Sequence, residues 1–242
     1  VSAADGSGEQ RRSAAEEVVV PVASAPGPRS PRRLILRPIL KSWLRVRSIG
    51  AEHVPTEGPV LLASSHRSHA DSIALALAVH RPVHFLGDLE LTEAPIVGKQ
   101  LPRLGMVPLQ RGTADSAALD VVRALLGDGH CVVVYPEGSR SRDGKVHRLR
   151  SGVARVAAEL SVPVVPAGIE GIERAWPVDA RPRLWGAAVT VRFAPAFPPP
   201  EDTPRARRTF NLELQARLAE LSRSESTTTF APVRGGDGET AP

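Results

Sequence analysis

Two short runs carry the side chains best suited to chemistry. The first is Ser65-His66-Arg67-Ser68-His69-Ala70-Asp71, directly after the apolar run VLLAS. Four residues separate His66 from Asp71, so a turn entering a helix would bring the carboxylate against one imidazole nitrogen and leave the other facing solvent. That pairing is a general base with its orienting acid. Two other readings share these residues. Asp71 also suits a helix start, where the dipole favours an acid, and His66, His69 and Asp71 could form a metal site, although no further ligand cluster accompanies them.

The second run is Tyr135-Pro136-Glu137-Gly138-Ser139-Arg140-Ser141, following the β-branched stretch CVVV. A proline ends the strand and a glycine permits a close turn. An acid, two hydroxyls and an arginine then converge at the strand's C-terminal edge, which suits a hydroxylated or phosphorylated ligand. A charged turn closed by Glu137 and Arg140 is the plainer alternative. Between the two runs lies Gly105-Met106-Val107-Pro108-Leu109-Gln110-Arg111, a short strand delivering one arginine at its end. No G-x-S-x-G elbow is present, and the one cysteine, Cys131, falls inside an apolar run. Neither a serine nor a cysteine nucleophile is indicated.

The elements that must position these groups alternate. Strands are predicted at Val46 to Ile49, Val60 to Ser64, Val83 to Leu86, Val107 to Leu109, Val132 to Tyr135, Val164 to Ile169 and Ala187 to Phe193. Helices are predicted at Pro38 to Leu44, Ala70 to Val79, Leu89 to Leu101, Ala114 to Leu126, Gly152 to Leu160 and Thr203 to Leu221. This order predicts an α/β fold with a largely parallel central sheet flanked by helices, in which chemistry sits where strands end and loops begin. Residues 1–31 and 223–242 lack period and are rich in small, polar and proline residues, so both are expected to be disordered tails around a domain at 48–222.

Charge and composition narrow the partners. The 242-residue chain carries a formal charge of +5, yet residues 31–47 hold six basic residues and no acid, so the remainder is close to neutral. In a helix, Arg33, Arg37, Lys41 and Arg45 would form a cationic edge beside Leu36, Leu40, Trp43 and Leu44. Segment 32–47 is therefore expected to contact an anionic membrane surface peripherally, an ordinary packing helix being the competing reading. Nucleic acid is not expected as a partner, because the rest of the chain has no basic stripe with interleaved aromatics. One cysteine excludes a disulfide scaffold and a cysteine-rich zinc site and is expected of a reducing compartment. No apolar run reaches the roughly 20 residues of a membrane span, and no hydrophobic signal core opens the chain. Together these place the protein, as an expectation, in the cytoplasm on the inner face of the cell membrane.

In order, spacing and strand context, the runs resemble the motifs of the glycerolipid acyltransferase family, which includes bacterial 1-acylglycerol-3-phosphate acyltransferases. Ser65 through Asp71 is similar to its NH-x4-D block, with Ser65 where Asn is usual. Gly105 through Arg111 is similar to its glycine, short strand and arginine. Tyr135 through Ser141 nearly repeats FPEGTRS and is followed by Arg150-Ser151-Gly152, while Val162-Pro163-Val164-Val165-Pro166 resembles the last block. The resemblance covers residues 45 to 195 and implies O-acyl transfer from acyl-CoA or acyl carrier protein to a lysophospholipid hydroxyl, giving phosphatidate from 1-acylglycerol-3-phosphate. His66 would be the base and Asp71 its orienter, with no covalent acyl-enzyme. Arg111, Glu137, Gly138, Ser139 and Arg140 would bind the acceptor, the arginines on its phosphate and Glu137 on a free hydroxyl. The resemblance implies no metal and no bound cofactor, the thioester being a co-substrate. The same chemistry on a polyol, glycolipid or amino lipid, thioester hydrolysis, and an inactive membrane-binding protein are the alternatives.

Overall fold

The structure, a computed structural model, describes residues 31–89, 101–109, 115–183 and 185–232. Seven strands form one sheet: β1 (Val46–Ile49), β2 (Val60–Ser64), β3 (Val83–Asp88), β4 (Met106–Leu109), β5 (Cys131–Val134), β6 (Val164–Glu170) and β7 (Val189–Phe193). Their spatial order is β1-β7-β6-β2-β5-β3-β4. Every neighbouring pair is parallel except β6 with β7. The helices are α1 (Pro31–Leu44), α2 (Asp71–Ala78), α3 (Asp115–Gly127), α4 (Gly152–Leu160) and α5 (Pro204–Ser222). This is the predicted sheet, and the predicted strand edges hold to within two residues.

The central strands read as unbroken apolar runs because helices cover both of their faces. Along β2 the alternation of side chains divides the core in two. Val60 and Leu62 join the cluster that includes Leu75 of α2 and Leu44 of α1. Leu61 and Ala63 join that of Leu125 of α3, Val156 of α4 and Leu214 of α5. Cys131 is fully buried on β5, and burial pushes its thiol up to about 12, so it packs as a small hydrophobe.

Register places the two chemical runs side by side. β2 and β5 pair in parallel with Ala63 opposite Val134. The segments leaving their C-terminal ends, Ser65 onward and Tyr135 onward, therefore start from one sheet edge with no strand between them. On the other side of β2, Ser64 lies opposite Ala167 of β6, which brings a third strand end to the same edge.

Two expectations change. Helix α1 starts earlier than Pro38 and runs through it. The missing proline N–H removes one helical bond, but Leu40 and Trp43 pack on the core and Arg37 donates to the carbonyls of Leu77 and Val79 at 3.0 Å each. The expected tail from 223 is ordered as far as 232. Its backbone bridges to 146–148, with Val146 N–H donating to Glu225 O at 2.8 Å and Arg148 N–H to Thr229 O at 2.9 Å, and Ala231 is buried. Backbone pairing with a core-edge segment, invisible in a polar sequence, holds it. The predicted helix Leu89 to Leu101, the tail 1–30 and residues 233–242 fall wholly or largely outside the described residues.

Candidate active site

The loop between β2 and α2 curls around one carboxylate. Asp71 is the first residue of α2 and is almost wholly buried. Its Oδ2 accepts the backbone N–H groups of Arg67 at 2.7 Å and Ser68 at 2.8 Å and meets His66 Nδ1 at 2.8 Å. The four-residue spacing is thus the length of chain that returns two amides and one imidazole to a single oxygen. A carboxylate facing Nδ1 fixes the tautomer with the proton on that nitrogen, so Nε2 keeps its lone pair. Burial lowers the His66 pKa below its ordinary value, the Asp71 hydrogen bond and charge opposing and the Arg140 charge assisting. The imidazole is therefore neutral at physiological pH, as a base must be.

The ring is held on its face as well as its edge. Tyr135, the residue after β5, stacks on His66 with ring centroids 3.8 Å apart and planes 14° from parallel. Its hydroxyl is anchored to Ser72 Oγ at 2.6 Å. Arg67 turns away from the cleft and ties the loop to the end of β6 and the C-terminus of α5, donating to Ile169 O, to Ser222 O at 3.5 Å and to Ser224 Oγ at 2.8 Å. Ser65, in the position where Asn is usual, is buried, and its Oγ has no hydrogen-bond partner among the described residues.

Glu137 is placed where the sequence did not lead us to expect it. Its side chain is fully buried. Oε1 accepts the His66 N–H at 3.1 Å and Oε2 the His147 N–H at 2.8 Å. Ser141 N–H in turn donates to His66 O at 2.7 Å. Oε1 thus joins the two loops while Oε2 braces Glu137's own, and the expected contact with a free acceptor hydroxyl has no support in this geometry. Burial pushes the Glu137 carboxyl up to about 7, against the pull of the two amides. Gly138, at φ 79°, occupies the left-handed region, a backbone conformation that favours glycine, and a Cβ there would displace the Arg150 side chain, whose Nε would lie 2.5 Å away.

Two spaces open beside His66. A polar cleft of about 290 Å³ is bordered by His66, His69, Gly138, Ser139, Arg140 and Arg142. A narrow cavity of about 50 Å³ runs inward among Ile73, Phe85, Met106, Tyr135 and Trp176, with His66 and Arg140 again in its wall. Of the residues singled out in the sequence, His66, Gly138, Ser139 and Arg140 line one cleft. Arg111 lies outside the described residues. His69 donates from Nε2 to Val178 O at 2.9 Å, so that nitrogen serves the loop, and among the described residues no group of three histidine, cysteine or acidic side chains is gathered for a metal ion. Sequence reasoning passed over Tyr135 and Trp176 as site residues. Tyr135 carried a usable signal, an aromatic closing a buried strand immediately before a polar turn.

A histidine–aspartate pair thus stands at a parallel-sheet edge beside an arginine-lined cleft. Residues 45–170 match the family described as Acyltransferase, and the chain belongs to that family. It is 30% identical over 177 residues to an uncharacterized protein of Mycobacterium tuberculosis, covering 69% of this chain and 48% of the relative. It is 32% identical over 141 residues to the chloroplastic 1-acyl-sn-glycerol-3-phosphate acyltransferase of Arabidopsis thaliana, covering 57% and 39%. The chain spans about half the length of the curated relatives it matches. The crystal structure of the 1-acyl-sn-glycerophosphate acyltransferase PlsC from Thermotoga maritima is similar with a TM-score of 0.59 at 25% identity, over 81% of this chain and 83% of that one.

Proposed function

We propose that the chain transfers a fatty acyl group from a thioester, acyl-CoA or acyl carrier protein, to the free hydroxyl of 1-acylglycerol-3-phosphate, giving phosphatidate. The observation that carries this reading is the His66–Asp71 contact, which leaves Nε2 as the basic nitrogen between a polar cleft and an apolar cavity. Nε2 takes the proton as the acceptor oxygen attacks the thioester carbonyl, forming the C–O bond. The tetrahedral intermediate collapses with loss of the C–S bond, and the imidazolium returns the proton to the departing thiolate. Asp71 stabilises the imidazolium and Tyr135 holds its plane.

The arginine-rich cleft suits a phosphate, with Arg140 and Arg111 as its ligands, since a dianion needs more than one cationic donor to offset its desolvation. Gly138 and Ser139 border the headgroup side, and the narrow apolar cavity, at about 50 Å³, admits only the first carbons of an acyl chain beside the reacting carbonyl. Glu137 acts as a positioning residue that fixes the His66 backbone. Relatives named 1-acyl-sn-glycerol-3-phosphate acyltransferase support the choice of acceptor. The reading is tested with Arg140→Ala, assayed on lysophosphatidate and on an uncharged monoacylglycerol at saturating donor. A loss confined to lysophosphatidate supports the phosphate assignment, and an equal loss on both acceptors sinks it.

Attachment to an anionic membrane is proposed through the end of α1 and the loop that packs on it. Among the described residues no helix is long and apolar enough to cross a membrane. Arg37 and Trp43 face inward duties, the latter donating from Nε1 to Arg183 O at 2.8 Å. Ile39 and Trp185 are exposed, Trp185 at 85%, Arg45 donates to the Trp185 carbonyl at 3.3 Å, and Lys41 is exposed on α1. An exposed indole among cations suits the lipid–water interface.

A further inference from the structure

Behind the polar cleft lies a second cavity, of about 650 Å³, bordered by Arg148, Arg150, Arg207, Arg208, Asn211 and Phe230, with no acidic residue in its wall. Several arginines elsewhere are paired with carboxylates: Arg123 and Arg155 with Glu159, Arg192 and Arg223 with Glu170, Arg217 with Glu220. Here only Arg207 has a partner, Asp202. Among the described residues no carboxylate meets Arg148, Arg150 or Arg208. Arg148 and Arg150 instead lie over the Phe230 ring, 4.8 and 5.8 Å from its centroid, which pre-orders their guanidinium planes. Like charges left together without counter-charge repel, so their convergence on a concavity calls for a multiply charged anion. Asn211 adds a neutral acceptor, its Oδ1 buried without a hydrogen-bond partner among the described residues.

This cavity adjoins the reaction cleft through residues of the two linings that lie against each other. Arg150 crowds Gly138, and the segment carrying Phe230 continues to Pro232, whose carbonyl accepts from Ser139 Oγ at 3.1 Å and which borders the cleft with His66. We propose that the cavity binds the nucleotide end of the acyl donor, the 3′-phosphorylated adenosine diphosphate of coenzyme A, with Arg148, Arg150 and Arg208 on its phosphates and Asn211 Oδ1 as an acceptor for its base. The inference rests on the acyltransferase reading and deepens it by choosing between the two donors. A compact polyphosphate fills a concave cavity of this size. A carrier protein brings one phosphodiester and a folded acidic surface, which needs a broad basic face instead.

The test is equilibrium binding of coenzyme A to the full chain by calorimetry, with Arg148→Gln and Arg208→Gln alongside. Both arginines are exposed, and unchanged thermal melting of the variants confirms that they fold. Each variant is expected to raise Kd about tenfold or more and to flatten its salt dependence, with adenosine 3′,5′-bisphosphate competing and inorganic phosphate at equal concentration not. Unchanged Kd in both variants overturns the site, as does competition by inorganic phosphate equal to that of the nucleotide. Transfer from acyl carrier protein without any binding of coenzyme A also overturns it and leaves the acyltransferase reading standing. Arginine-dependent binding of coenzyme A by a chain that acylates no lysophosphatidate supports the site and removes the proposed acceptor.

Discussion

At the scale of single residues, the candidate site turns on what a buried oxygen atom is asked to accept. Asp71 Oδ2 takes two amides and an imidazole, so Asp71→Asn removes the group that raises the His66 pKa and that selects its tautomer. The acid limb of kcat/KM reports the free base. With its pKa lowered, His66 is expected to gain activity through a midpoint below the ordinary histidine value of about 6.5 and to plateau at neutral pH. Asp71→Asn should move that midpoint to still lower pH while turnover falls about 10²- to 10⁴-fold. An acid limb that stays in place in Asp71→Asn contradicts the coupling. Glu137 makes a second pH claim. Its carboxyl is pushed up to about 7 from an ordinary 4.5, so between those values the folded chain holds a proton that the unfolded chain releases. Stability from this group is then full below pH 4.5 and declines as pH rises through about 7, by about 3 kcal/mol at roughly 1.4 kcal/mol per unit. Urea unfolding between pH 4.5 and 8 should show this decline in the native chain and its loss in Glu137→Gln, whatever the variant's overall stability.

At the scale of elements, the sheet was legible because strands buried on both faces must be apolar throughout. VLLAS and CVVV left little choice, and the order of strands and helices already required a parallel sheet. What escaped notice depended on contacts between distant segments. Nothing in LILRPIL indicates that a helix will run through Pro38, since that depends on Arg37 reaching the end of α2. Nothing in STTTF marks pairing with residues 146–148. Glu137 was legible as a site residue but not in its role, because a carboxylate between two backbone amides looks in sequence like one facing a ligand. Gly168 in β6 shows a close approach that its isolated letter does not. A Cβ there would lie 2.3 to 2.5 Å from Leu221 and Ser222 at the end of α5, the same end to which Arg67 is bonded. Gly168→Ala is expected to cost about 1 to 3 kcal/mol and, by displacing α5, to lower activity through Arg67 although it touches no substrate. Denaturant melts with parallel assays check this, and an unperturbed, fully active variant would show that the approach is looser than the structure has it.

At the scale of the whole molecule, the basic residues divide into working groups. Arg37 holds two helices together, Arg67 ties the site loop to α5, and the cations near Trp185 remain for a surface. Co-sedimentation with anionic vesicles should therefore fall in a Lys41→Gln, Arg45→Gln, Trp185→Ala variant and become less sensitive to salt. Arg37→Gln should lower the melting temperature and leave sedimentation of the folded chain unchanged. Equal binding by the triple variant would remove the proposed surface.

The central claim concerns His66 as the base of acyl transfer, and mass analysis of the lipid product tests it most directly. The purified chain is incubated with acyl-CoA or acyl carrier protein thioester and 1-acylglycerol-3-phosphate, beside His66→Ala and His69→Ala. The native chain and His69→Ala are expected to form phosphatidate, and a folded His66→Ala to form none above background. Phosphatidate from His66→Ala at the native rate, or free fatty acid in place of phosphatidate from the native chain, would contradict the account.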